Sequence, residues 1–151
     1  MEANLHFRSS VAALLVAWAG SVLIAQKITT PEELDKVMKR VQQANMAANK
    51  AVGSGNFAEA AKQLAIVKQA ITDSREFWIQ HKKDDAVAAN KEVVAKIEAV
   101  EKLLTAPAPE AQAIQAAFKQ EIGPACRQCH EKYRVRDAEN NWVLKPGSIG
   151  G

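Results

Sequence analysis

Glycine and proline divide this chain. Between Thr29 and Lys132 they occur only at Pro31, Gly53, Gly55, Pro107, Pro109, Gly123 and Pro124, which fall in four places. Both residues punctuate regular structure, so the stretches between them are uninterrupted pieces of helix length. Each piece repeats apolar residues at 3–4 spacing, and none alternates with a period of two, so strands are not indicated. The expectation is an all-α fold, four helical segments joined by short turns into an antiparallel four-helix bundle.

The first segment opens at Thr30-Pro31-Glu32-Glu33. Thr30 caps, Pro31 suits the first helical position, and the two glutamates complement the positive end of the dipole. Leu34, Val37, Val41, Ala44, Ala48 and Ala51 form one apolar stripe, ended by Gly53-Ser54-Gly55. The second segment carries Phe57, Ala60, Leu64, Val67 and Ile71 and continues through Phe77, Trp78 and Ile79. Lys82-Lys83 followed by Asp84-Asp85 marks its boundary with the third, since basic residues suit a helix C-terminus and acidic ones the next N-terminus. A break at Thr72-Asp73-Ser74 is the alternative, with Asp73 and Glu76 as a capping box. The later break gives helices of more equal length. The third segment has the rows Ala86, Val93, Val100 and Asn90, Ile97, Leu104, and stops at Pro107 and Pro109. The fourth starts near Glu110 and runs through Ile114, Ala117, Phe118 and Ile122. It bends at Gly123-Pro124, because Pro124 has no N–H for the carbonyl of Gln120. It then resumes to about Arg136. Residues 137–151 read as an irregular extension that folds back on the bundle.

A bundle built from this chain has thin side chains for a core. Of 151 residues 28 are alanine, and aromatics make up only 5%. The helices must pack closely, or something else must fill the interior. A net charge of +3, from 20 basic and 17 acidic residues with no long basic run, gives no case for a nucleic-acid partner.

Residues 1–25 read as a secretory signal: Arg8 supplies the positive charge, and Val11 to Ala25 form an apolar run. The run is shorter than the roughly 20 residues that span a bilayer. Cleavage is expected after Ala25 or after Ala19, and an uncleaved signal is the one route to a membrane anchor. Export places residues 26–136, the predicted bundle domain, outside the cytoplasm, in the periplasm. A lone close pair of thiols there is oxidised or otherwise occupied.

Those thiols are in Cys126-Arg127-Gln128-Cys129-His130, a C-x-x-C-H sequence. On a helix, residues i, i+3 and i+4 stay together on one side. Two thiols at this spacing form thioethers with the two vinyl groups of one haem, while the histidine is held beneath the iron. Three other readings compete. A thioredoxin-like C-x-x-C needs a βαβ context, which is absent. A structural zinc site needs four ligands, and the remaining histidines are His6, inside the signal, and His81. The third is a chance match of a short pattern. The export signal, the absence of other cysteines and the place on the last helix favour haem. No nucleophile–base pair or paired-carboxylate constellation stands out, so no catalysis is indicated.

With that motif the chain resembles the class II c-type cytochromes, cytochrome c′ and its low-spin relatives, over residues 30 to about 136. The resemblance is carried by Cys126 to Arg134, by Gly123-Pro124 just before them, and more weakly by Asn56-Phe57-Ala58-Glu59-Ala60-Ala61. It implies one covalent haem c, with Cys126 and Cys129 as thioether sites and His130 as axial ligand. It also implies a place for Arg134 near the proximal face of the haem, or else an ordinary solvated arginine. Phe118 is a candidate wall of the haem pocket.

The resemblance makes function depend on the sixth iron ligand. In cytochrome c′ an apolar or aromatic residue of the first helix leaves the iron five-coordinate and open to NO or CO. In the low-spin relatives a methionine of that helix completes it, giving an electron carrier. Lys36-Val37-Met38-Lys39 resembles the stretch that supplies this methionine, so Met38 is the expected ligand and Met46 the alternative. Flexible core filling is the competing role for both. Trp78 and Phe77 are expected in core or end packing, and His81 as a solvated residue near a helix end. Tyr133 belongs near the haem or at the surface. The expected function is one-electron transfer with redox partner proteins, a homodimer being possible. The rivals are a gas-binding cytochrome c′ and a helical protein whose motif is unused.

Overall fold

The computed structural model describes residues 28–150. The expected signal, residues 1–25, lies outside them, as does His6. Among the described residues the fold is all-α apart from one short hairpin. Helix α1 spans Pro31–Gly53, α2 Phe57–Gln80 and α3 Asp84–Leu104. The last helical segment is continuous but composite: α4 Ala111–Ala117, a π-helical turn Phe118–Ile122, and α5 Gly123–Tyr133. None of the described helices is long and apolar enough to cross a membrane.

Local chemistry explains the boundaries. Thr30 Oγ1 accepts from the Glu33 backbone N–H, and Glu33 accepts in return from the Thr30 N–H, a reciprocal cap with Pro31 at the first turn. At the other end of α1 the turn passes through Gly55 at φ 72°, a conformation that strains any residue with a Cβ. Asn56 then caps α2 by accepting from Glu59 N–H at 3.1 Å. Of the two candidate breaks, the chain uses the one at residues 81–83, and α2 runs unbroken through Thr72-Asp73-Ser74. Ser74 sits mid-helix because its hydroxyl donates back to the Ile71 carbonyl at 2.7 Å.

The bend at Gly123-Pro124 takes a definite form. The Gly123 N–H reaches back five residues to the Phe118 carbonyl, one wide turn where Pro124 cannot continue the ordinary ladder. The extra residue rotates α5 by about 100° relative to an unbroken helix, one residue of a 3.6-residue turn.

The expected helix end near Arg136 and the expected irregular tail are both corrected. Helix α5 ends at Tyr133, and Arg134–Arg136 form strand β1, antiparallel to strand β2, Trp142–Leu144. The register pairs Arg134 with Leu144, Val135 with Val143 and Arg136 with Trp142. Three-residue strands are too short to stand out by periodicity, and their sequences Arg-Val-Arg and Trp-Val-Leu lie against a helical motif. The tail does fold back: Lys145 N–H donates to the Tyr133 carbonyl at 2.9 Å, and Leu144 and Ile149 pack on the helices.

α1 packs on α2, α2 on α3, and α3 on the composite last segment, which also meets α1. Two apolar clusters result. One is alanine-rich and contains Ala44, Ala48, Leu64, Val67, Ile97 and Ile114. The other, at the end where the hairpin lies, contains Ile28, Leu34, Phe77, Trp78, Ala86 and Tyr133. Ala48 and Ala60 are fully buried, so backbones approach closely there. Lys68–Glu101 at 2.5 Å ties α2 to α3, and Lys96–Glu121 at 2.6 Å ties α3 to the π-helical turn.

Candidate functional site

A cavity of about 600 Å³ lies between the two clusters. Leu34, Met38 and Val41 of α1 form one wall, and Ile71, Ser74 and Trp78 of α2 another. Ala86, Ala89 and Val93 of α3 form a third, where the two alanines leave room that larger side chains would fill. Phe118, Ile122, Cys126, Cys129 and His130 close the last helical side, and the hairpin lies at the mouth.

The structure thus gathers residues far apart in sequence. Met38, about ninety positions from the motif, is half-buried, touches both clusters and lines the same cavity as His130. Phe118 is buried in the wall. Met46 is 63% exposed and lies outside the cavity. Seven residues after Met38, where two helical turns bring a side chain back to nearly the same face, Asn45 takes the place that Met46 misses. Phe77 and Trp78 are buried, their rings edge to face at 5.1 Å. His81 is at the end of α2 as expected, but it is half-buried, with Nδ1 3.1 Å from the Ile149 carbonyl.

Within the motif, both cysteines are free and half-buried. Burial pushes the Cys126 thiol up and carries that of Cys129 to about 11, with the charges of Asp85 and Cys126 adding to the latter. A redox-active C-x-x-C pair works through a lowered thiol pKa, so these thiols are set the opposite way. Burial takes His130 down to about 4, helped by the Arg134 guanidinium, whose Nη1 is 3.1 Å from Nδ1 and 3.2 Å from Nε2. The imidazole is therefore neutral at neutral pH, the form that coordinates metals. Arg134 is beside the motif histidine rather than freely solvated.

Two contributors, Asp85 and Asn90, escaped the sequence reading, and Tyr133 takes the inner of its two expected places. Tyr133 is buried, and its hydroxyl donates to Asp85 Oδ1 at 2.7 Å, while Lys132 Nζ is 2.6 Å from Asp85 Oδ2. These bonds, led by the one from Lys132, hold the Asp85 carboxyl down at about 2. The signal in the sequence was only an acidic residue in a first helical turn. Asn90 is a polar residue in an apolar row, which was a visible signal, and it too lines the cavity.

The donor set and the cavity fit a haem. A cavity of this size is in the range of about 300–1,000 Å³ that cofactor sites occupy, and both thiols and the neutral imidazole line it. Asn45 Oδ1 is buried with no hydrogen-bond partner, the kind of polar atom that a cavity occupant satisfies. Among the described residues no group of three or more His, Cys, Asp and Glu side chains could hold a metal ion, which leaves the zinc reading without its further ligands.

Comparison with protein-family models, with curated proteins and with solved structures gives no match.

Proposed function

We propose that this chain is an exported, periplasmic monohaem c-type cytochrome of the four-helix class that transfers single electrons between redox partner proteins. In this reading the helical segments form an antiparallel bundle around one covalent haem c. The observation that carries it is the convergence on one cavity of Cys126, Cys129 and His130 from α5 with Met38 from α1. Bound there, the haem supplies the one-electron iron couple, and a His/Met ligand pair raises its potential relative to histidine alone.

The chain's own residues supply attachment, orientation and exclusion of water. Cys126 and Cys129 would hold the macrocycle on α5, and His130 and Met38 would hold its iron. Phe118, Ile122 and Val93 exclude water, and Ala86 and Ala89 give a flat group access between the helices. Met46 has no part, because its exposed side chain does not line the cavity. In this reading the protein is an electron carrier rather than an enzyme.

The test is expression with export in a host that attaches haem to C-x-x-C-H sequences. Intact-mass measurement and absorbance should give a mass gain of one haem and a c-type spectrum resistant to acid-acetone extraction. A chain with unmodified cysteines in that host would overturn the reading.

A further inference from the structure

The C-terminal hairpin lies against the cavity. Side chains alternate along a strand, and the register puts Arg134, Arg136, Trp142 and Leu144 on one face and the Val135–Val143 pair on the other. All four residues of the first face line the cavity mouth, as does Val143 of the other, whereas Val135 does not. The guanidinium carbons of Arg134 and Arg136 lie 4.3 and 4.0 Å from the Trp142 ring centroid. The indole fixes both cations without neutralising either.

Neither cation forms an ion pair within the described residues. The nearby acids are engaged elsewhere: Asp35 pairs with Lys39 at 2.7 Å, and Asp137 Oδ1 accepts from the Asn141 N–H at 2.7 Å. Asn140, in the same turn, takes φ 64°, which asparagine tolerates. Two adjacent cations are costly to hold together without an anion between them. Coordination through one ring nitrogen of His130 leaves the other as an N–H donor, which a guanidinium cannot face as partner. Arg134 then needs another acceptor.

We infer that the hairpin is an anion clamp across the cavity mouth, in which Arg136 and Arg134, carried on Trp142, bind the propionate carboxylates of the macrocycle. This rests on the haem reading and specifies how the site recognises the polar edge of its ligand. Planar guanidinium–carboxylate pairing suits the task, because it is bidentate and survives partial burial. An apolar body with two carboxylates at one edge matches an apolar cavity with two cations at its mouth.

The experiment uses the full chain matured with haem and compares the wild type with Arg136→Gln and Arg136→Lys. Arg136 is chosen because Arg134 also touches His130. A cation beside the haem disfavours the ferric state, so Arg136→Gln should lower the reduction potential, and Arg136→Lys should restore most of the loss. The propionate bending band in resonance Raman should shift in Arg136→Gln. Thermal melting of each variant checks that the fold is kept. Haem present with potential and propionate band unchanged in Arg136→Gln overturns the clamp and leaves the cytochrome reading standing. A wild type without covalent haem overturns both.

Discussion

Asn90 on α3 donates to Ser74 on α2 through a 3.1 Å Nδ2–Oγ bond, in the middle of an apolar interface that forms a wall of the cavity. The same amide donates to the Ile71 carbonyl at 2.5 Å and accepts from Arg75 Nε at 3.0 Å. All of the capacity is used but for one lone pair of Oδ1, which is why a polar residue persists in a row with Ile97 and Leu104.

Replacement of Asn90 by leucine should therefore destabilise the fold by about 1–3 kcal/mol, the penalty for stranding partners of a buried polar group. Urea denaturation of the variant measures it. A midpoint equal to that of the wild type would show the network to be energetically idle.

The alanine-rich cluster depends on its few large members. Ile97 is fully buried there, and Ile97→Ala should cost about 2–5 kcal/mol, because neighbouring alanines cannot expand into the gap. The corresponding change at exposed Leu103 should stay within about 0.5 kcal/mol. Equal midpoints for the two variants would contradict this placement of the core.

Asp85 gives a pH dependence with a definite sign. Its carboxyl is lowered in the fold from 3.8 to about 2, mainly by the bond from Lys132 and then by that from Tyr133. A group depressed in the folded state stabilises it above its unfolded pKa, and that contribution fades as pH falls from 3.8 to about 2. With its side chain 48% exposed, solvent screening keeps the contribution below about 1 kcal/mol. Asp85→Asn should lower stability at neutral pH and match the wild type more closely near pH 2. Equal differences at both pH values would show that the carboxylate charge is not responsible.

The two methionines should separate in the holoprotein. Met38→Ala should abolish the weak ferric band at the red end of the spectrum that marks sulfur ligation and should admit CO to the ferrous form. Met46→Ala should do neither. An unchanged spectrum in Met38→Ala would remove this residue as sixth ligand and return the open-site cytochrome c′ reading.

The helices were legible in the sequence because their signals are local. Thr30-Pro31-Glu32-Glu33, the Gly53-Ser54-Gly55 turn and Lys82 to Asp85 each act on the residues beside them, through caps, left-handed backbone or the helix dipole. Cys126, Cys129 and His130 were legible for the same reason, since helical spacing alone places them on one side. Phe118 and Met38 could be nominated from sequence, but not distinguished there from ordinary core residues.

The helical class, the segment boundaries as far as the Gly123-Pro124 bend and the motif of one turn were thus set by local sequence. Which distant residues face that turn was set by tertiary packing. Packing turned Met38 inward and Met46 outward, since residues eight apart on a helix differ by a modest rotation that only their partners resolve. It brought Asp85 to Tyr133 across 48 positions and ended α5 in a hairpin whose strands are too short to carry a period. Those choices depend on cross-chain packing and hydrogen bonding, energies that no local window of sequence contains.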